Sequence, residues 1–149
     1  MINTYHTLVH AQPVTVWKLL LDEVENPQKY LHGVESAQIV GRSAEGIVRE
    51  MRWEGMTVRE RIIPEEKENL ITHEFLEHPV YQGRFFTRVV PASVQNPMAP
   101  VDLQIGVELE RKSFQVSNLV QTDVEFDSDI ENELQLLKEM AEKVEQMEA

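Results

Sequence analysis

The stretch Gly46-Ile-Val-Arg-Glu-Met-Arg-Trp-Glu-Gly-Met-Thr-Val-Arg-Glu-Arg-Ile-Ile63 holds two alternating runs on either side of Glu54-Gly55. A short polar-glycine pair between alternating runs is the sequence signature of a two-residue β-hairpin. Centring the turn there pairs Trp53 with Met56, Met51 with Val58, Arg49 with Glu60 and Ile47 with Ile62. Strand side chains alternate between faces, so these pairs share one face. The other face then carries Arg52 with Thr57, Glu50 with Arg59 and Val48 with Arg61. One face is largely apolar and the other largely polar, so the register is self-consistent: a slip of one residue would exchange the two faces.

The same period of two extends outward. It predicts strands over residues 34–43, 46–54, 56–63, 69–77, 82–91 and 101–112, with a further strand over 4–10. The separators include Pro64–Glu68, His78-Pro79 and a loop over 91–100 with three prolines, residues that interrupt strand ladders. Between the first and second strands the period becomes helical, with Val14, Trp17, Leu20, Leu21 and Val24 behind Pro13 at the first turn. A second short helical piece is expected over Pro27–Leu31. At the C-terminus Ile130, Leu134, Leu137, Ala141 and Val144 form one apolar stripe, and Ser128 with Glu131 fits a capping box. About twenty residues of helix from that cap would be about 30 Å long. Residues 113–122 read as a connection of undecided form.

This is an α+β pattern. A long amphipathic helix laid across a curved antiparallel sheet of about seven strands, with two short helices after the first strand, buries the sheet's apolar face. The expected architecture is a helix-grip over one domain, residues 1–149.

Two stretches carry a family resemblance: Ala11-Gln-Pro-Val-Thr-Val-Trp-Lys-Leu-Leu20, and Pro27-Gln-Lys-Tyr-Leu-His-Gly-Val-Glu-Ser-Ala37. With the element order they resemble the SRPBCC superfamily, which includes START lipid-binding domains, Bet v 1-like proteins and polyketide cyclases. Gly46–Gly55 resembles the AtaL-like branch, long labelled a domain of unknown function. The glycine-rich loop of the Bet v 1 allergens has no counterpart, since Gly41–Gly46 is only a short turn. The resemblance implies a hydrophobic cavity between sheet and last helix. It does not imply catalysis, because function belongs to sites and not to folds.

Arg49 and Glu60 are the sharpest site candidates: two opposite charges facing each other on an apolar face. Arg49 would anchor a carboxylate, phenolate or enolate of a ligand, with Glu60 orienting it or acting as a base. The plain alternative is an internal salt bridge. His73 is a second candidate base, since imidazole titrates near neutrality; Ile71 and Phe75 share its side and Leu70 and Leu76 the other, so pattern leaves its face open. Met51, Trp53, Val58 and Phe75 would shape a pocket, with Met56, Phe85 and Phe86 in the same set. Tyr30 and Tyr81 combine apolar bodies with hydroxyls that need partners. Core packing is the plain alternative for all of these.

The expected function is binding of a small, mostly hydrophobic ligand, such as a lipid, polyketide or aromatic metabolite. One alternative is a polyketide cyclase or dehydratase using the same cavity, with Glu60 or His73 moving a proton; another is a protein-interaction module. The first two both need a closed, mostly dry cavity that reaches Arg49; a filled core there would leave only the third. No cofactor is called for: there are no cysteines, no nucleotide or nucleophile-elbow motif, and His6 and His10 lie two pleats apart, so no metal site is expected. A net charge of −12 argues against nucleic acid as a partner. No apolar run suits a membrane, and without a signal-like start a cytoplasmic location is expected. A homodimer through a sheet edge is left open. From Asp123 to Ala149 ten acidic residues face two lysines, so that segment alone carries −8. The expected reading is a solvated outer helix face that keeps the protein soluble.

Overall fold

The computed structural model describes residues 1–93, 95–96, 99–112 and 119–148. Seven strands and two long helices run in the order β1 (Ile2–Val9), α1 (Pro13–Glu25), β2 (Val34–Ser43), β3 (Gly46–Trp53), β4 (Met56–Glu65), β5 (Leu70–Glu77), β6 (Tyr81–Pro91), β7 (Val101–Arg111) and α2 (Leu119–Glu148). Single 3₁₀ turns follow α1, at Pro27–Lys29, and β4, at Glu66–Glu68. All strands are antiparallel in one sheet of order β1-β7-β6-β5-β4-β3-β2, so consecutive strands from β2 to β7 are neighbours and β1 closes beside β7. This is the helix-grip architecture.

The β3–β4 ladder has the register read from the alternation, from Ile47 opposite Ile62 to Trp53 opposite Met56. Glu54 and Gly55 both take positive φ, at 50° and 79°, as the tight primed hairpin turn requires. Three bonds tie this tip to the segment before β2 and to the start of β2 itself. The Trp53 indole donates to the His32 carbonyl at 2.7 Å, the Glu54 N–H to the Gly33 carbonyl at 2.9 Å, and the Gly55 N–H to Glu35 Oε1 at 3.0 Å.

The buried face of the sheet carries Met51, Val58, Ile62 and Ile71, then Leu103, Ile105, Val107 and Leu109 of β7. Ile130, Leu134, Leu137 and Ala141 of α2 pack over it, and Val16, Trp17, Leu20 and Val24 of α1 close one end.

Three boundaries differ from the sequence expectation. β4 continues through Pro64, which lies opposite Ile71 near the strand's end, where one missing ladder N–H does little damage. The second helical piece is a single turn, with the N–H groups of Tyr30 and Leu31 both on the Pro27 carbonyl. The largest change is α2, which begins at Leu119, so Ser128 lies inside the helix and is not its cap. Contacts with the sheet hold the early turns: the hydroxyls of Tyr5 and Tyr81 donate to Asp127 and Asp123, and Arg111 also pairs with Asp123. Of the stretch read as a connection, 119–122 are therefore helical, while 113–118 lie outside the described residues.

The far end of α2 is held by its acids. Glu142 accepts the His10 N–H at 2.9 Å. Glu145 accepts the Gln12 N–H at 2.8 Å and the Thr15 hydroxyl at 2.6 Å. Gln12 gives α1 no side-chain cap, so a carboxylate from the other helix satisfies donors at that N-terminus, where negative charge is favoured.

Candidate functional site

Arg49 and Glu60 face each other across β3 and β4, each 1% exposed. Arg49 Nη2 donates to Glu60 Oε2 at 2.7 Å. Its Nη1 donates to the carbonyls of Glu23 and Val24 at 3.0 and 3.2 Å and to Glu23 Oε1 at 3.4 Å. Those carbonyls belong to the last turn of α1, whose outward C=O groups lack helical partners, so the guanidinium caps that helix end as well. Among the described residues, Nε is the one nitrogen of Arg49 without a partner.

Burial opposes the charge on Glu60. The Arg49 guanidinium and His73 outweigh it and hold the carboxyl down near about 2. For Arg49, burial is likewise overcome by Glu23 and Glu60, which keep it charged. His73 points inward with Ile71 and Phe75, which settles the face that alternation left open. Its ring stacks on Phe85 with centroids 4.3 Å apart, and its Nδ1 lies 3.7 Å from Glu60 Oε2 with no hydrogen-bond partner among the described residues.

A cavity lies between this pair and α2. Arg49, Glu60 and Glu23 form its polar end; Trp53, Phe75, Phe85, Ile105, Leu31, Phe126 and Ile130 form its apolar walls; Asp129 and Glu133 of α2 complete it. The space open to the centre of a water molecule is about 20 Å³, enough for one or two waters. A second space of about 30 Å³ lies outside it, sharing Trp53, Phe126 and Asp129 as a common wall and reached by Met56, His78 and Tyr81. His78 is fixed there: its Nδ1 accepts the N–H groups of Val80 and Tyr81, both at 3.1 Å, so its proton sits on Nε2, and burial pushes its pKa down to about 4.

Of the residues singled out from sequence, the cavity collects Arg49, Glu60, Trp53, Phe75 and Phe85. His73 stands behind it against Glu60 and Phe85. Met51 and Val58 are opposite partners in the solid core and do not line it. Tyr81 lines the outer space, and Tyr30 turns its hydroxyl to Asp22 at 2.6 Å, away from the cavity.

Beside the apolar Leu31, Ile105, Phe126 and Ile130, sequence reading missed three acidic lining residues: Glu23, Asp129 and Glu133. The signal was present, since Glu23 continues the stripe Val16–Leu20 at i+4 and i+7, and Glu133 lies between Phe126, Ile130 and Leu137 at helical spacing. They also correct the reading of the C-terminal charge as an outer face. Part of it points inward, and Asp123, Asp127, Glu142 and Glu145 hold α2 to its neighbours. Burial, with Glu54 and Glu125 nearby, pushes the Asp129 carboxyl up to about 6. Burial and the charge of Glu23 raise Glu133 well above the usual carboxylate range.

The solved structures most useful for comparison share this fold. A START superfamily protein from Mycobacterium smegmatis matches with a TM-score of 0.73 at 15% identity, over 96% of this chain and 98% of that one. The Zhui aromatase/cyclase from Streptomyces sp. R1128 matches with a TM-score of 0.73 at 14% identity, over 96% and 94%. The di-domain aromatase/cyclase StfQ of the steffimycin biosynthetic pathway matches at 0.71 and 16%, over 97% of this chain and 46% of its own length. At such identities the likeness is one of fold: the chain has the helix-grip of START and aromatase/cyclase proteins. No family model matches the sequence, and no curated protein matches it.

Proposed function

We propose that the protein binds a small, mostly hydrophobic ligand between the sheet and α2. The observation that carries this reading is the cavity itself: aromatic and aliphatic walls around one concentrated polar end, the usual composition of small-molecule sites. Sites for drug-sized ligands occupy about 300–1,000 Å³, so occupation needs Phe126, Phe75 and Phe85 to rotate or α2 to lift. Phe126, the wall between the two spaces, is the natural gate. Arg49 is a structural member of this site, since Glu23, Val24 and Glu60 already take its Nη donors; a ligand carboxylate brought beside it would meet the four carboxyl groups of Glu23, Glu60, Asp129 and Glu133. Gly46–Gly55 supports placing the chain near the AtaL-like branch.

The second reading, a cyclase or dehydratase, is favoured by the His73–Glu60 contact and by the fold shared with Zhui and StfQ. A carboxylate held near about 2 is a weak base, so we rank binding first.

Native mass spectrometry of the protein purified from its source tests the proposal. A non-covalent adduct of small-molecule mass, lost on denaturation, is expected. A bare chain that also fails to take up an apolar fluorescent dye contradicts it.

A further inference from the structure

The polar end of the cavity is unbalanced. Four carboxyl groups, Glu23, Glu60, Asp129 and Glu133, surround one cation, Arg49. Glu23 and Glu60 are engaged by that cation. Asp129 and Glu133 lie one helical turn apart on α2, half-buried, and the described residues supply no hydrogen-bond donor to either. Opposite them the sheet presents Trp53, Phe75 and Phe85, and Phe126 stands beside them on α2. Carboxylates beside aromatic faces are the chemistry that recognises organic cations. Among the described residues no three acidic or histidine side chains converge on a point that would hold a metal ion. A second, independent feature asks for an oxygen: Arg49 is 1% exposed, lines the same cavity, and has an Nε–H with no acceptor among the described residues.

We propose that the ligand is a hydrophobic amine carrying an oxygen acceptor. Its ammonium lies between Asp129, Glu133 and the aromatic walls, and its oxygen accepts from Arg49 Nε. This rests on the cavity-binding reading and names its ligand class. The raised carboxyls are consistent with it: burial, with Glu54 and Glu125 against His32 at Asp129 and with Glu23 and Glu60 against Arg49 at Glu133, disfavours their charged forms, and an arriving ammonium favours them, so amine binding strengthens as pH rises through the titration of Asp129 at about 6.

The test is displacement of an apolar fluorescent dye by four compounds with one phenylalkyl body: phenylalaninol, phenethylamine, phenethyl alcohol and hydrocinnamate. Phenylalaninol is expected to bind best, then phenethylamine, with the amine about tenfold tighter than the alcohol and the carboxylate weakest. In an Asp129→Asn, Glu133→Gln double variant, shown folded by its melting curve, the amine-to-alcohol ratio falls to near one. An alcohol as tight as the amine overturns the ammonium site, a carboxylate that binds best overturns it in favour of anion capture, and phenylalaninol no tighter than phenethylamine removes the Arg49 oxygen contact. Dye that binds but yields to none of the four also overturns the amine class while leaving the cavity reading intact. Dye that does not bind at all removes the cavity reading and the inference together.

Discussion

Replacing Arg49 by Met removes the one cation of the buried cluster and keeps most of its volume. Glu60, 1% exposed, and Glu23, 4% exposed, then lose their counter-charge, and two carbonyls at the end of α1 lose their donor. The magnitude follows from Glu60. Its carboxyl sits near about 2 against an ordinary 4.5, and about 1.4 kcal/mol per pKa unit makes the contribution about 3 kcal/mol. Leaving a buried carboxylate unpaired carries the loss to about 3–5 kcal/mol, or about 6–20 °C in Tm for a chain of this size. The sign with pH is fixed. A depressed carboxyl stabilises the fold above its unfolded pKa of about 4.5, and the benefit fades as pH falls toward 2. The gap between wild type and Arg49→Met is therefore widest at pH 7 and narrows toward pH 3. Adding Glu60→Gln to Arg49→Met restores part of the loss, because the more deeply buried of the two stranded carboxylates is then neutral and Glu23 alone is left without its counter-charge. Urea unfolding followed by circular dichroism at pH 7 and pH 3.5 measures all three proteins. A loss below about 1 kcal/mol at pH 7, or a double variant no better than the single one, refutes the reasoning.

Glu133→Gln acts in the opposite direction. A carboxyl raised above its unfolded value destabilises the fold as pH climbs past about 4.5, so this variant melts higher than wild type at pH 7 and equals it at pH 4, as calorimetry would show. Gly83→Ala is strongly destabilising: Gly83 has φ of 121°, and a Cβ there would lie 2.3 Å from the Glu108 carbonyl oxygen, so a drop of more than about 2 kcal/mol in chemical denaturation is expected. Leu137→Ala, at a position of α2 that is 1% exposed against the sheet, lowers stability by about 2–5 kcal/mol and increases dye uptake by widening the core beside the cavity.

Alternation was a sufficient guide wherever one sheet face is wet and the other dry. In β3–β4 it placed every pair, including Arg49 opposite Glu60, because the Glu54-Gly55 turn leaves no other register. It stopped at β5, where both faces carry apolar residues; only the structure turns Ile71, His73 and Phe75 inward and leaves Leu76 40% exposed. Helix ends were less legible. Ser128 with Glu131 is a sound local cap signal, yet α2 begins nine residues earlier at Leu119, because long-range bonds from Tyr5, Tyr81 and Arg111 support its early turns. The inward acids were hidden for a related reason. A carboxylate on an apolar stripe looks like a boundary residue until the partner across the cavity, here an arginine from a distant strand, is known.

The account's central claim is that the space under α2 accepts a small apolar molecule. Methyl-resolved NMR during titration with phenethyl alcohol tests it most directly. Ile105, Ile130 and Leu31 line the cavity, whereas Ile2 is 87% and Leu8 51% exposed on β1. The account predicts saturable shifts at the three cavity residues with Ile2 and Leu8 unmoved. Shifts confined to the exposed methyls, or none at the cavity through the millimolar range, would contradict it.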